Sequence, residues 1–143
     1  MYKIKITALV ASALGIALAV PMNAESSSVS SKAYSVAKAQ IGDRYVYGTA
    51  GPNTFDCSGL TYYSFKQAGK NWKRYNAHDQ RRYQTVDITV NQRQVGDLIF
   101  FKKKGSSTYT HVGMYAGSGY MINAVNGNTY KGVRKGKVVD GYW

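Results

Sequence analysis

Phe55-Asp56-Cys57-Ser58-Gly59-Leu60 joins a turn-forming cluster, Gly48-Thr49-Ala50-Gly51-Pro52-Asn53, to an apolar and aromatic run that ends at Gly69. The switch from turn residues to that run predicts a helix from Cys57 to about Ala68, with Asp56 as its N-cap. Cys57 is the only cysteine in the chain, so it forms no internal disulfide. At the first turn of a helix a thiol meets unpaired backbone N–H groups and the positive end of the helix dipole. That position is expected to favour the thiolate relative to an ordinary cysteine, which titrates near ~8.5. A thiolate is a nucleophile, so chemistry is expected to start here. The competing reading of Cys57 is a small buried hydrophobe.

Upstream, Lys3 and Lys5 precede an unbroken run of apolar and small residues from Ile6 to Val20, and Pro21-Met22-Asn23-Ala24 provides a break and a small residue before Glu25. This is the pattern of a secretory signal peptide; the run is short for a membrane span and no stop-transfer pattern follows it. The expected organisation is a signal peptide over 1–24, a serine-rich linker over 25–31 and a single domain over 32–143. The expected product is secreted, extracellular and monomeric. Export with one cysteine argues against a disulfide scaffold, so the fold must rest on its core.

The formal net charge is +12, and loss of Lys3 and Lys5 leaves 17 basic residues against 7 acidic ones. Such a balance implies an anionic partner surface. Lys102-Lys103-Lys104 and Arg81-Arg82, together with 13 tyrosines, resemble a phosphate-tracking and base-stacking face. With an export signal in the chain, the anionic polymers of a cell wall fit better than nucleic acid. Two histidines, one cysteine and no HExxH or CxxC spacing provide no metal-ligand set, and no cofactor is expected.

The remaining elements follow from periodicity and turn chemistry. Ser31 is expected to cap a helix through Ala33, Val36, Ala37 and Ile41, stopped by Gly42. Asn76 is expected to cap a short helix through Gln80 and Tyr83, with Asp79 at its third position. Val86-Asp87-Ile88-Thr89-Val90 alternates like a half-buried strand, and Leu98-Ile99-Phe100-Phe101 suits a central one. His111–Tyr115 and Tyr120–Ala124 read as a hairpin turning at Gly117-Ser118-Gly119, with further strand structure at Val133, Val138 and Val139. Helices first and antiparallel strands second is an α+β pattern.

A cysteine nucleophile needs a base, and the base needs an orienting group. His78 lies in a polar, charged helix and reads as a solvated surface residue. His111 opens an apolar strand after a polar loop, where its side chain can face a cleft. A hairpin centred on Gly117-Ser118 sets Asn123 nearly opposite His111, and an asparagine amide oxygen can accept from a ring N–H.

Tyr45-Val46-Tyr47-Gly48, Phe55-Asp56-Cys57-Ser58-Gly59-Leu60, Val95-Gly96-Asp97-Leu98-Ile99-Phe100-Phe101, His111-Val112-Gly113-Met114-Tyr115-Ala116-Gly117 and Met121-Ile122-Asn123-Ala124 occur in this order. The series resembles the NlpC/P60 family of cell-wall peptidases, papain-like cysteine enzymes that cut peptidoglycan stem peptides. The resemblance runs from about Ser31 to the C-terminus and implies a papain-like α+β fold with N-terminal helices on a small antiparallel sheet. By position it implies Cys57 as nucleophile and His111 as base, with Asn123 in the place of the third polar residue, where histidine is common. Tyr45 matches the family tyrosine that helps form the site and supports the oxyanion. Ser58 is expected to line the substrate cleft, Asp56 to flank the nucleophile in a mainly structural role, and Asp97 to be structural. The Arg74–Gln80 stretch follows the family's Arg-plus-Gln segment only loosely. The sheet's closing edge is expected to be short, or completed differently, because the chain stops at Tyr142-Trp143. The implied reaction is hydrolysis of the bond between D-glutamate and a diamino acid, through a Cys57 thioester. Two other readings remain open at this point: a non-catalytic cationic wall binder on the same fold, and a CHAP-type amidase.

Overall fold

The computed structural model describes residues 22–139, so the expected signal peptide lies almost wholly outside the described residues. Helix α1 spans Met22–Ala39, α2 Cys57–Gln67 and α3 Ala77–Tyr83. Strands β1 (Arg44–Tyr45), β2 (Thr54–Phe55), β3 (Leu98–Phe101), β4 (His111–Gly117), β5 (Tyr120–Asn126) and β6 (Lys131–Lys137) form one sheet, ordered β2-β1-β6-β5-β4-β3. All neighbours in it are antiparallel except β1 and β2.

One face of this sheet is closed by α1 and α2. Ala33 and Ala37 of α1, Leu60 and Phe65 of α2, and Met114, Ile122, Ala124 and Val133 of the strands make one buried cluster around Phe55. Each large apolar side chain taken fully out of water there contributes about 1.5–3 kcal/mol. The small side chains of α1 let it lie close to its neighbour. Gly59 does the same for α2, because a Cβ there would stand 1.9 Å from the carbonyl oxygen of Thr49. The helix that carries Cys57 is thereby pressed against the loop that leads into it.

Three expectations change. The stretch 25–31, expected as a linker, is helical, and α1 does not start at Ser31. Ser35 returns its hydroxyl to the Ser31 carbonyl at 3.2 Å, which satisfies a serine inside the helix. The Ser30 carbonyl sits where a Cβ on Gly96 would be, at 2.2 Å, and Gly96 adopts φ +96, so contact with this turn holds the early part of the helix in place. The alternating Val86–Val90 segment is not a strand. Asp87 is drawn to Arg81, and Thr89 and Gln92 form a capping box that starts a single 3-10 turn at Val90–Gln92. Val90 is 61% exposed, so the alternation faced no core.

The β4–β5 hairpin carries a bulge between Tyr115 and Gly117, with Ser118 at φ 52. Its ladder pairs Met114 with Ile122 and Tyr115 with Met121, which sets Asn123 diagonal to His111 rather than opposite it. The closing edge of the sheet is completed differently, the second of the two expected outcomes: the strands that close it come from the N-terminal half of the chain. β1 adds to β6 at Arg44–Gly132 and β2 adds to β1. Gly132 permits this, since a Cβ there would meet the Asp43 carbonyl at 2.6 Å. Tyr142 and Trp143 lie outside the described residues.

Candidate active site

Asp56 is the N-cap of α2, accepting from the Gly59 N–H at 2.6 Å, as its position before the apolar run predicts. The carboxylate does much more. Its other oxygen accepts from the Gly48 N–H at 2.8 Å, Ser58 Oγ donates at 3.1 Å to the oxygen that Gly59 also meets, and Arg74 Nη2 reaches both oxygens at 2.8 and 2.7 Å. Arg74 Nη1 also holds Ser58 Oγ at 2.8 Å and the Tyr75 carbonyl at 2.6 Å. Beneath them Gln80, fully buried, donates to the Ser58 carbonyl at 2.7 Å and accepts from Thr61 at 2.7 Å. The peptide on either side of Cys57 is therefore fixed by a buried polar network that ties α2 to α3. Asp56 is spent on this network, in agreement with its structural reading. Ser58 lines the cleft, with its hydroxyl already engaged.

Arg74 and Gln80 are the functional-site residues that sequence reasoning undervalued. The available signal was the family's Arg-plus-Gln segment. Its spacing seemed loose because nothing in a linear reading shows that Arg74 folds back onto Asp56, 18 positions earlier.

Cys57 is partly exposed at the floor of a cleft of about 250 Å³. One wall comes from the β1–β2 connection with Tyr45, Tyr47 and Gly48; the other comes from the start of α3 and the β3–β4 loop, with Ala77, Tyr109 and Thr110. Burial pushes the Cys57 thiol up, and the Asp56 charge adds to that; the N–H groups of Val112 and Ser58 and the Arg74 charge pull it the other way. The expected depression at the helix N-terminus is therefore present in kind but outweighed by desolvation. The Tyr45 hydroxyl is also pushed up, first by burial and then by the Cys57 and Asp56 charges, so it stays protonated and able to donate.

His111 is buried on the first position of β4, immediately before Val112, whose N–H meets the Cys57 sulfur. Its ring stands 5.8 Å from the Phe101 ring, and burial lowers its pKa to about 4. Asn123 Nδ2 lies 2.9 Å from His111 Nε2, and Asn123 Oδ1 is buried without a hydrogen-bond partner. A His111 that acts as a base carries its ring proton on Nε2, donated to Asn123 Oδ1, so that Nδ1 can accept; turning the amide end for end supplies that acceptor and gives the orphaned oxygen a partner. An imidazolium carries a proton on both nitrogens, and only an amide turned with Oδ1 toward the ring accommodates it. The bulged register thus still brings His111 and Asn123 together, diagonally. His78, expected on the surface, is half-buried and its Nδ1 accepts from the Tyr109 N–H at 3.4 Å. Asp97 is structural, accepting from the Gln94 N–H at 2.7 Å in the turn entering β3.

A family model described as NlpC/P60 matches residues 42–143. The chain belongs to the NlpC/P60 family. Its helices-on-sheet arrangement is the family's papain-like α+β fold. Among solved structures, an NlpC/P60 family protein from Bacillus cereus superposes with a TM-score of 0.70 at 30% identity, covering 79% of this chain and 36% of that one. The NlpC/P60 domain of the peptidoglycan hydrolase SagA gives 0.63 at 30% identity, covering 76% and 89%. The probable endopeptidase p60 of Listeria grayi is 43% identical over 101 residues, 70% of this chain and 19% of that protein. The murein DD-endopeptidase MepH of Escherichia coli is 38% identical over 87 residues, 59% of this chain and 32% of that protein. The chain spans about a fifth of the Listeria protein's length and a third of the Escherichia coli protein's.

Proposed function

We propose that this NlpC/P60 domain is a cysteine endopeptidase that hydrolyses peptidoglycan stem peptides at the bond between D-glutamate and the diamino acid. The observation that carries the reading is Cys57 on the floor of a cleft, its sulfur against the N–H of the residue next to His111, with His111 in contact with Asn123. Family membership and relatives named as endopeptidases support the same class of reaction.

In this mechanism His111 takes the Cys57 proton as the sulfur attacks the scissile carbonyl carbon. The oxyanion is met by the backbone N–H of Cys57 and by the Tyr45 hydroxyl. The tetrahedral intermediate collapses as His111 hands its proton to the leaving amine, giving the free amine and a Cys57 thioester. Water, deprotonated by His111, attacks the thioester, and the acid leaves with the thiol restored. Because burial disfavours both lone charges, the resting pair is a neutral thiol and a neutral imidazole, and the ion pair forms as the substrate reacts. The signal-peptide pattern at the start of the chain supports action outside the cell, and the net positive charge supports retention on anionic wall polymers.

The test is digestion of purified peptidoglycan by the wild type and by Cys57→Ala, with fragments identified by mass spectrometry. Fragments ending in D-glutamate, from the wild type alone, are the expected result. Cleavage between two D-centres would assign the bond named for the Escherichia coli relative instead. Fragments from both proteins would move the chemistry away from Cys57, and none from either would favour a wall-binding role.

A further inference from the structure

Positive charge is unevenly spread along the chain. From Leu98 to Val139 there are seven basic residues and no acidic one. Three stand together in the β3–β4 loop, and the other four lie on β6: Lys131, Arg134, Lys135 and Lys137, all exposed. The two ion pairs among the described residues, Arg74–Asp56 and Arg81–Asp87, use none of them. No acid faces them across the ladder either, since Lys137 stands opposite Tyr120, Lys135 opposite Ile122, Arg134 opposite Asn123 and Lys131 opposite Asn126. On its other side β6 meets β1 at Gly132, whose partner Arg44 is one more exposed cation. Past that pairing, Arg134 to Lys137 is an open edge among the described residues, with three cations on about 10 Å of strand. No residue of β6 lines the Cys57 cleft.

From this we infer that the open end of β6 is a binding site for a linear, phosphate-rich polymer of the cell wall, a step that rests on the wall-retention reading above. The site is this edge rather than the net charge of the whole protein. Alternation along the strand sends Arg134 to one side and Lys135 and Lys137 to the other. Cations on both sides of a narrow edge grip a flexible chain, whereas a flat membrane meets one side only. The tyrosines nearby are already engaged: Arg134 lies over the Tyr130 ring at 5.8 Å and Lys135 over the Tyr120 ring at 5.2 Å. These cations occupy ring faces that the bases of a nucleic acid would need for stacking. Arg134 supplies planar paired donors and the lysines supply mobile point charges, which suits phosphates at successive points along a chain. Lysines on an open edge also discourage pairing with a second strand, but that role requires no affinity for a polymer.

The experiment measures the Kd of the full chain for soluble poly(glycerol phosphate), at about 0.15 M salt and again at ~0.5 M. Arg134→Gln/Lys135→Gln/Lys137→Gln is expected to weaken binding by about tenfold, and wild-type affinity is expected to fall as salt rises. Lys66→Gln/Lys70→Gln/Lys73→Gln removes the same charge from exposed positions in and after α2, and should change Kd by less than about twofold. Lys135→Arg/Lys137→Arg keeps the charge on the same strand and is expected to retain binding. Cleavage of soluble stem peptides should be unaltered in the β6 glutamine variant. The polymer Kd is read without catalysis, so it decides the matter even if no peptide is cleaved. Equal weakening by the two glutamine variants overturns the inference and returns retention to net charge alone. Undiminished binding in the β6 glutamine variant overturns it as well and leaves the lysines as guards of the edge. A loss in the arginine variant as large as in the glutamine one does the same, because charge would not be the cause. Tighter binding to phosphatidylglycerol vesicles than to the polymer, lost in the β6 glutamine variant, also overturns it and assigns the edge to a membrane surface.

Discussion

The two halves of the reaction centre are built differently. Around Cys57, Asp56, Ser58, Arg74 and Gln80 satisfy one another through a dense set of hydrogen bonds, so the Cys57 backbone has one position. Around His111 burial dominates, the Phe101 ring lies beside the imidazole, and the Asn123 amide meets Nε2 while its own oxygen is unpartnered. The first half is organised by permanent charge, and the second is arranged to receive charge only during the reaction. Low-dielectric surroundings make charges expensive singly and strongly coupled as a pair. The difference teaches that the proposed mechanism assigns geometry and reactivity to separate elements: the polar lock to α2 and α3, the proton transfer to β4 and β5.

Changes on the two sides should therefore fail in different ways. The largest effect falls on Cys57→Ala, which is expected to lower stem-peptide release by more than about a thousandfold while leaving urea unfolding nearly unaltered. A large stability loss in that variant would mean that the sulfur is chiefly core. Next is the response to acid. His111 has a folded pKa of about 4 against 6.5 for the unfolded chain, so between those values the unfolded state binds more protons. Stability should be present above pH 6.5 and fall as pH drops toward 4, by about 2–3 kcal/mol between pH 7 and 4.5. Urea midpoints across that window, in wild type and His111→Gln, isolate the contribution; equal slopes would show that His111 is not desolvated.

Arg74→Met tests the locked half. It strands the Asp56 carboxylate, and since the Arg74 side chain is 30% exposed, the expected loss is about 2 kcal/mol rather than the full cost for a wholly buried pair. Adding Asp56→Asn should recover part of it, and a loss no greater than for a surface arginine would remove the contrast drawn here. The smallest effect is expected at Asn123→Ala: about tenfold in kcat with KM nearly constant, because it orients His111 rather than touching substrate. Asn123→Gln, whose longer side chain displaces the amide, should not restore the rate.

Much of this was legible from local chemistry. The Asp56 cap, the Asn76 cap, the Leu98–Phe101 strand and the β4–β5 hairpin follow from residue types a few positions apart. The His111–Asn123 contact was reached through a register two positions off, because a bulge cannot be read from alternation alone. Contacts between distant segments were not legible. The return of Arg74 to Asp56, the pairing of Arg44 with Gly132 and the hold of Gly96 on α1 depend on packing that no local period encodes. The rise of the Cys57 pKa was hidden for a similar reason: its helix position is local, but its burial is not.

The most direct test is the rate of Cys57 alkylation by iodoacetamide from pH 4 to 10. A neutral resting pair predicts slow labelling at pH 6 and a rise centred above the ordinary thiol range. A fast plateau already established at pH 5–6, and abolished by His111→Gln, would show a preformed thiolate–imidazolium pair and contradict the account.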